Sequence, residues 1–321
     1  MIKTLFGITT RRLLQRTVGL SKFSQSDFTT LSYGGVRCVC ASLYSVEQGF
    51  VDLNILGKSE AADVFLNLVS SLGQKRINFL QQNKDYFADM ENEYNYYLQL
   101  NNKTIHFKDG ARKYVLVKNY AHLTQLMNTE PAETDVEVIY VIITIEGMHD
   151  LNAGNGLPPN ETEVMRNLAR MKAWDYKPFF VTFAHHFYNE LCGHAESLSD
   201  VLQDFLTRQE PGMNTGFTPL GFKVLKGLLN EDDGRIYIDI KHMSALARQQ
   251  YIHFLKTEHA DAYQRKELPV IISHGACNGK MSAANPNPTP GLELTASRMY
   301  DKDINFYDEE LIEVKRSGGI I

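Results

Sequence analysis

The sequence predicts an α/β protein with a parallel sheet, and the most specific architecture that it predicts is an incomplete TIM-like (β/α)8 barrel. Short runs rich in β-branched residues alternate along the chain with longer segments of helical periodicity, which is typical of parallel α/β folds. Several of these runs are apolar at consecutive positions, as strands buried on both faces of a parallel sheet are. The length of 321 residues suits a single barrel.

Strands are expected near residues 36, 138, 179, 235, 269 and 318. Gly34 and Gly35 form the turn before the first strand, and Gly318 to Ile321 resembles the start of the last one. Because a barrel of this kind has eight strands, we expect the first strand and the last strand or strands to be missing. No pattern in the sequence indicates an antiparallel hairpin.

Helical periodicity is found between the expected strands. Segment 59–100 carries apolar residues on one stripe, and Thr218 followed by Pro219 is a favourable helix start, with threonine at the cap and proline at the first position. The other expected helices cover residues 120–127, 161–175, 245–263 and 308–316. We therefore expect one domain over residues 1–321, with a helical insertion at about 45–136.

Composition excludes some classes of function. The net charge of −5 lacks the basic excess of nucleic-acid-binding surfaces, so no nucleic-acid partner is expected. No run approaches the ~18 consecutive apolar residues of a membrane span, so we expect a soluble protein, with the cytoplasm favoured. Residues 1–25 carry five basic side chains and no acidic one, which fits a transit peptide or a basic loop and helix within a larger enzyme.

The cysteines do not have the spacing of a zinc site. Cys38 and Cys40 are separated by one residue, and no second cysteine pair completes a set of four ligands. We expect all four cysteines, which also include Cys192 and Cys277, to be small buried hydrophobic residues in a reducing compartment.

Three of the expected strands end in a side chain that can bind a metal. Glu146 ends the run that begins at 137, His242 ends the run at 235–242, and His274 ends the run at 269–274. The carboxyl ends of parallel barrel strands meet at one face, where barrel enzymes carry out their chemistry. Carboxylate and imidazole are usual ligands of Zn²⁺, so the sequence predicts one metal site formed by these three residues.

Further histidines lie close to these strand ends. His185 and His186 end another expected strand, and since alternate strand residues share a face, we expect His185 to point inward and His186 to form a hydrogen bond in the loop. His149 is expected to anchor the loop after Glu146. Other mechanisms lack support, because the chain has no Gly-x-Ser-x-Gly elbow, no phosphate-binding Gly-x-x-x-x-Gly-Lys loop and no His-Glu-x-x-His helix.

Six short motifs, in the same order, resemble the membrane (renal) dipeptidase family of zinc peptidases. Residues 238–244 (IDIKHMS) are similar to that family's Ile-Asp-Leu-Ser-His-x-Ser, and residues 269–274 (PVIISH) to its Pro-Val-Ile-x-Ser-His. The other motifs are GGV at 34–36, IEGMH at 145–149, TFAH at 182–185 and GFTPLG at 216–221. The resemblance runs from about Gly34 to Ile321 and is weakest in the insertion.

The resemblance implies a TIM-like barrel with two zinc ions that hydrolyses dipeptides by a metal-activated water. Glu146 would be the bridging carboxylate, and His242 and His274 would bind the second zinc. His185 would contact the substrate or its tetrahedral intermediate. Glu146 would thus be both a catalytic residue and a metal ligand.

Three functional groups of that family have no counterpart here. No His-x-Asp pair for the first zinc precedes Gly34, the aspartate of the last strand would lie beyond Ile321, and residues 275–287 offer no substrate-binding arginine. We therefore expect the chain to bind one zinc ion or fewer, weakly, and to turn over little or no dipeptide. Two alternatives stay open: another metal-dependent hydrolase of the amidohydrolase type, and an inactive barrel that binds peptides. Homo-oligomerisation also stays open.

Overall fold

The computed structural model describes residues 27–52, 63–64, 66–67, 70, 72–129, 136–199, 203, 209–288, 290–291, 293 and 299–321. The basic segment 1–25 and the start of the predicted helical segment 59–100 lie outside these residues. Within them, no helix combines the length and the apolar character that a membrane crossing requires.

The helices follow the sequence prediction closely from residue 120 onward. Thr218 accepts a hydrogen bond from the backbone N–H of Gly221 at 3.0 Å, and Pro219 is the first helical residue, as predicted. The predicted helix 245–263 is two helices with His259 between them. The described helices are α1 (Phe28–Tyr33), α2 (Gln74–Leu80), α3 (Tyr86–Leu100), α4 (Tyr120–Thr129), α5 (Glu161–Lys172), α6 (Pro219–Leu229), α7 (Ala245–Glu258), α8 (Ala260–Gln264) and α9 (Asp308–Ser317).

The strands form one mixed but mainly parallel sheet. They are β1 (Cys38–Leu43), β2 (Thr104–Phe107), β3 (Gly110–Val117), β4 (Val136–Glu146), β5 (Phe180–Thr182) and β6 (Tyr237–Asp239). β4 pairs in parallel with β1, β3 and β5, and β5 pairs in parallel with β6. Residues 140–142 of β4 pair with both β1 and β3, so these two strands lie on opposite edges of β4.

Two single bridges continue the sheet beyond β6. Asp239 pairs with Ile271, and Ile271 pairs with Ile320, both in parallel. The predicted strands near 269 and 318 are therefore present as single bridged residues. The parallel α/β architecture is confirmed, whereas the described residues do not confirm a closed TIM barrel.

The insertion differs from the prediction. It contains helices α2, α3 and α4, but also an antiparallel hairpin of β2 and β3, in which Phe107 pairs with Gly110 across a two-residue turn. The expectation of a sheet without hairpins is therefore wrong. The hairpin escaped detection because β2 has only four residues, and an alternation of Ile105 and Phe107 with Thr104 and His106 is too short to mark a strand by itself.

The cysteine prediction is also wrong in part. Cys192 is buried, but Cys38 and Cys40 are exposed. Exposure alternates along β1, with Ala41 and Leu43 in the core and Cys38, Cys40 and Ser42 on the opposite face. Cys40 and Ser42 line a cavity of about 440 Å³, so these side chains face open space rather than packed apolar groups.

Candidate metal centre

The site residues lie just beyond the ends of neighbouring parallel strands. Glu146 pairs with Thr182, Thr182 with Asp239, and Asp239 with Ile271, so these four positions are level across the sheet. His185, His242 and His274 each follow one of the last three positions by three residues. The register therefore brings Glu146 and the three histidines to one edge of the sheet.

The structure brings together the three predicted metal ligands. Glu146, His242 and His274 each offer one ligand atom, and these atoms lie within 4.8 Å of one another. The ring centroids of His242 and His274 are 5.3 Å apart. A second group, formed by His185, His186 and His242, meets the same distance limit and shares His242 with the first.

His242 is the most constrained member of both groups. Its side chain is buried, and its backbone lies in the left-handed region at φ 65°, which is uncommon for a residue other than glycine. Burial and the charge of His185 hold the pKa of His242 well below its usual range. Among the described residues, its Nδ1 atom has no hydrogen-bond partner. A neutral, buried imidazole with an unpaired nitrogen fits a metal ligand.

His274 is oriented by a chain of hydrogen bonds. The hydroxyl of Ser273 donates to Asp239 Oδ2 at 2.6 Å, and Ser273 Oγ lies 2.9 Å from Nδ1 of His274. Because the hydroxyl proton is used on Asp239, Ser273 Oγ accepts the proton of Nδ1. The lone pair of His274 is then on Nε2, where it can bind a metal.

Asp239 is a functional residue to which the sequence analysis gave no role. It is fully buried, and besides Ser273 it accepts hydrogen bonds from the Thr182 hydroxyl at 2.6 Å and from the backbone N–H of Lys241 at 3.0 Å. An acidic residue in the middle of an apolar strand was the available signal, since a buried carboxylate requires partners.

Glu47 holds His185 from the side opposite to Glu146. Its Oε2 atom lies 2.6 Å from Nδ1 of His185, and Nε2 of His185 lies 3.4 Å from Glu146 Oε1. The fully buried Glu47 also accepts hydrogen bonds from the backbone N–H of Phe187 at 3.0 Å and from the hydroxyl of Tyr44 at 3.2 Å. No sequence signal marks Glu47, because it lies 138 residues from His185.

The Glu47–His185 contact is an ion pair. Burial alone would lower the pKa of His185, but the charge of Glu47 and hydrogen bonds to Glu146 and Glu47 raise it to about 9. Burial likewise opposes ionisation of Glu47, yet the charge and hydrogen bond of His185 lower its pKa to about 2. The hydrogen bond from His185 also lowers the pKa of Glu146. In the metal-free protein at neutral pH, His185 therefore presents an N–H group to the site.

The two other histidines of this region behave as predicted. His186 forms a hydrogen bond in the loop, between Nδ1 and Ser197 Oγ at 2.7 Å, and burial together with the charge of His185 lowers its pKa to about 4. The buried His149 donates from Nε2 to the backbone oxygen of Ser45 at 2.7 Å, which anchors the loop after Glu146.

The cavity beneath the site is lined by Glu146 and His274 at the strand ends and by Thr144 and Thr182 below them. It is a space of about 440 Å³ next to two of the candidate ligands, and the rest of its lining is largely apolar. One carboxylate and two imidazoles fit Zn²⁺ and other divalent transition metals, so the donor set does not by itself identify the ion.

Comparison with known proteins gives no identification: no protein-family model matches the chain, and no curated protein matches it. The resemblance to dipeptidases therefore stays a prediction that depends on the motifs quoted above.

Proposed function

We propose that the chain is a metal-dependent hydrolase with a TIM-like barrel and that its substrates are dipeptides. The observation that carries the proposal is the meeting of Glu146, His242 and His274, which come from three different strand ends. The resemblance of the motifs to those of zinc dipeptidases suggests the class of substrate, since the matching residues of that family occupy its zinc site.

Glu146, His242 and His274 would hold the ion. A bound Zn²⁺ supplies a Lewis acid for the peptide carbonyl and lowers the pKa of a coordinated water. Asp239 and Ser273 keep Nε2 of His274 free to bind, and the burial of His242 keeps that imidazole neutral. These contacts orient the ligands before any ion arrives, which reduces the cost of binding.

His185 would act on the substrate. Its Nε2–H points toward Glu146, and Glu47 fixes the ring through Nδ1. An N–H donor in this place can hold an oxygen of the substrate, and it is worth most where negative charge develops as the carbonyl carbon becomes tetrahedral. Glu47 is therefore a positioning residue for His185.

The proposal is tested by metal binding and dipeptide hydrolysis on the same preparation. The chain is stripped with EDTA, Zn²⁺ is added back, bound zinc is counted by mass spectrometry, and free amino acids are measured with several dipeptides. We expect zinc binding and slow hydrolysis that requires zinc, and the variant His242→Ala should lose both.

His253→Ala is the matched control, because His253 is an exposed histidine of α7. It should bind zinc and hydrolyse dipeptides as the unaltered chain does. Absence of bound zinc, or hydrolysis that His242→Ala leaves unchanged, would refute the proposed function.

A further inference from the structure

We propose that His185, His186 and His242 form a second metal-binding position, made of three imidazoles, next to the Glu146–His242–His274 group. We call it the tri-histidine position. Its ligand would be a divalent transition-metal ion that prefers nitrogen, such as Zn²⁺, Ni²⁺ or Cu²⁺. The motifs of the sequence do not assign His186 to any metal.

The three rings already form a nearly regular triangle. The centroid of His185 is 4.3 Å from that of His186 and 4.7 Å from that of His242, and the His186–His242 distance is also 4.7 Å. One nitrogen of each ring lies within 4.8 Å of the other two. Tetrahedral zinc with bonds of ~2.0–2.1 Å needs ligand nitrogens about 3.3 Å apart. Each nitrogen–nitrogen distance would therefore have to shorten by at most about 1.5 Å when an ion binds.

Two of the rings are held by outer partners in the way that metal-binding histidines are. Nδ1 of His185 lies 2.6 Å from Glu47, and Nδ1 of His186 lies 2.7 Å from Ser197 Oγ. Ser197 is fixed in turn by Gln209, whose Nε2 donates to the hydroxyl at 2.8 Å. These contacts occupy Nδ1 of both rings, so an ion would bind through Nε2, and at His185 it would displace the proton that faces Glu146.

The third ring supplies an independent observation. His242 is 5% exposed, and its Nδ1 atom lacks a hydrogen-bond partner among the described residues. Buried polar atoms are nearly always paired, so an unpaired one points to a ligand that the protein is built to hold. The backbone of His242 lies in the left-handed region at φ 65°, and the centroid of its ring is 4.7 Å from those of His185 and His186 and 5.3 Å from that of His274.

The tri-histidine position and the Glu146 group compete for residues. Both positions need His242, so one ion excludes the other and the ratio of their affinities sets which position is filled. An ion bound to three imidazoles also takes His185 away from the substrate, so a metal that prefers the tri-histidine position should bind without supporting hydrolysis. This consequence alone rests on the proposed function, whereas the position itself can be tested without any enzymatic activity.

Cobalt binding to the full chain is the test. EDTA-stripped protein is titrated with Co²⁺, and binding is followed by visible absorption and by counting the metal that stays bound after desalting. The variants are His274→Ala, His186→Ala and the double variant, with His253→Ala as the control for loss of an unrelated histidine. Far-ultraviolet circular dichroism checks that each variant is folded.

We expect His274→Ala to retain one cobalt ion through the tri-histidine position, His186→Ala to retain one through the Glu146 group, and the double variant to lose binding. Loss of all binding in His274→Ala, with the fold intact, would overturn the tri-histidine position and leave the Glu146 group standing. If His186→Ala loses cobalt binding and His274→Ala retains it, the result would support the tri-histidine position and refute the Glu146 group.

If a variant fails to fold, His274→Asn and His186→Asn replace the alanine variants, because asparagine keeps a polar group at each position. The copper form of folded His274→Asn is then examined by electron paramagnetic resonance. Hyperfine coupling to three ring nitrogens supports the tri-histidine position, and coupling to fewer than three excludes it.

Discussion

His242 shows how one residue gains its chemical character from its surroundings. Burial removes the water that would stabilise an imidazolium, and the neighbouring charge of His185 further lowers the pKa of His242. His185, almost as buried, has a raised pKa because two carboxylates surround it. The same side chain is therefore neutral at one position and charged 4.7 Å away, and this division suits one ring to binding a metal and the other to donating a proton.

Replacing Glu47 by glutamine should destabilise the metal-free protein, because it removes the closer of the two carboxylates that face His185. The loss should be about 3 kcal/mol in the free energy of unfolding, as for other buried pairs. Urea unfolding in EDTA measures it. Glu161→Gln is the control, since Glu161 pairs with Lys223 on the surface and should cost less than about 1 kcal/mol.

The effect of Glu47→Gln should depend on pH in a defined way. Glu47 has its pKa lowered from 4.5 to about 2, so its contribution is complete above pH 4.5 and is lost as the pH falls toward 2. His185 has its pKa raised from 6.5 to about 9, so its contribution is complete below pH 6.5 and is lost as the pH rises toward 9. The difference in the free energy of unfolding between the unaltered chain and Glu47→Gln should therefore be largest at pH 4.5–6.5. A difference that keeps growing above pH 9 would contradict the ion pair.

The hydroxyl of Ser273 should control metal affinity through His274. In Ser273→Ala, Nδ1 of His274 loses its acceptor, and we expect zinc affinity to fall about 10- to 100-fold, as for other outer partners of metal-binding histidines. Calorimetric titration with Zn²⁺ measures this. Ser317→Ala is the control for loss of a serine hydroxyl, because Ser317, which is fully buried whereas Ser273 is exposed, accepts a hydrogen bond from the backbone N–H of Val270 and contacts no candidate ligand. Equal zinc affinity in the two variants would show that Ser273 does not orient His274.

At the scale of secondary structure, the first turn of α6 lies directly against the backbone of Leu191, in the segment that follows β5. The backbone of Gly221, in the first turn of α6, lies so close to the carbonyl oxygen of Leu191 that a Cβ atom would be 1.8 Å from it. The same helix contains Gly227, where a Cβ atom would meet only the end of the Leu168 side chain, at 2.7 Å. A side chain at Gly221 would therefore collide with backbone, whereas a side chain at Gly227 would collide with the end of another side chain.

The matched variants Gly221→Ala and Gly227→Ala separate these reasons. Gly221→Ala should lower the free energy of unfolding by about 3 kcal/mol or more, because a backbone carbonyl cannot rotate away as a side chain can. Gly227→Ala should change it by less, since alanine is favoured over glycine by about 1 kcal/mol in a helix interior and this offsets the contact with Leu168. Urea unfolding of both variants gives the comparison. Equal losses would show that the close approach to Leu191 is relieved by a small shift of the helix.

At the scale of the whole molecule, the candidate metal centre joins elements that are far apart in the chain. β4, β5, β6 and the bridged residue Ile271 each deliver one group, and Glu47 reaches the site from the segment after β1. An ion held by groups from several strand ends binds only the folded protein, so its binding free energy adds to the stability of the sheet.

Zinc should therefore stabilise the folded chain. A free zinc concentration of 100 times the Kd should add about 2.7 kcal/mol to the free energy of unfolding, which thermal unfolding with and without EDTA will detect. His242→Ala should remove the effect, because His242 belongs to both groups of ligands. A zinc effect of the same size in His242→Ala would place the bound metal elsewhere in the protein.

The sequence by itself determined the parallel α/β architecture and the candidate metal ligands that lie at strand ends. Runs of β-branched residues and helical periodicity are local patterns that predict a parallel sheet. Because the carboxyl ends of parallel strands lie at the same edge, Glu146, His242 and His274 could be placed together. The hairpin of β2 and β3 was missed because β2 is an exposed run of only four residues, and so short an alternation is a weak local signal.

Only the tertiary structure decided which groups surround those ligands. The pairs Glu47–His185 and Asp239–Ser273 join residues that are 138 and 34 positions apart, and neither pair follows from a local pattern. The tertiary structure also brings His186 close to His242. A ligand's protonation and orientation depend on packing and burial across the fold, and these arise only when distant segments come into contact.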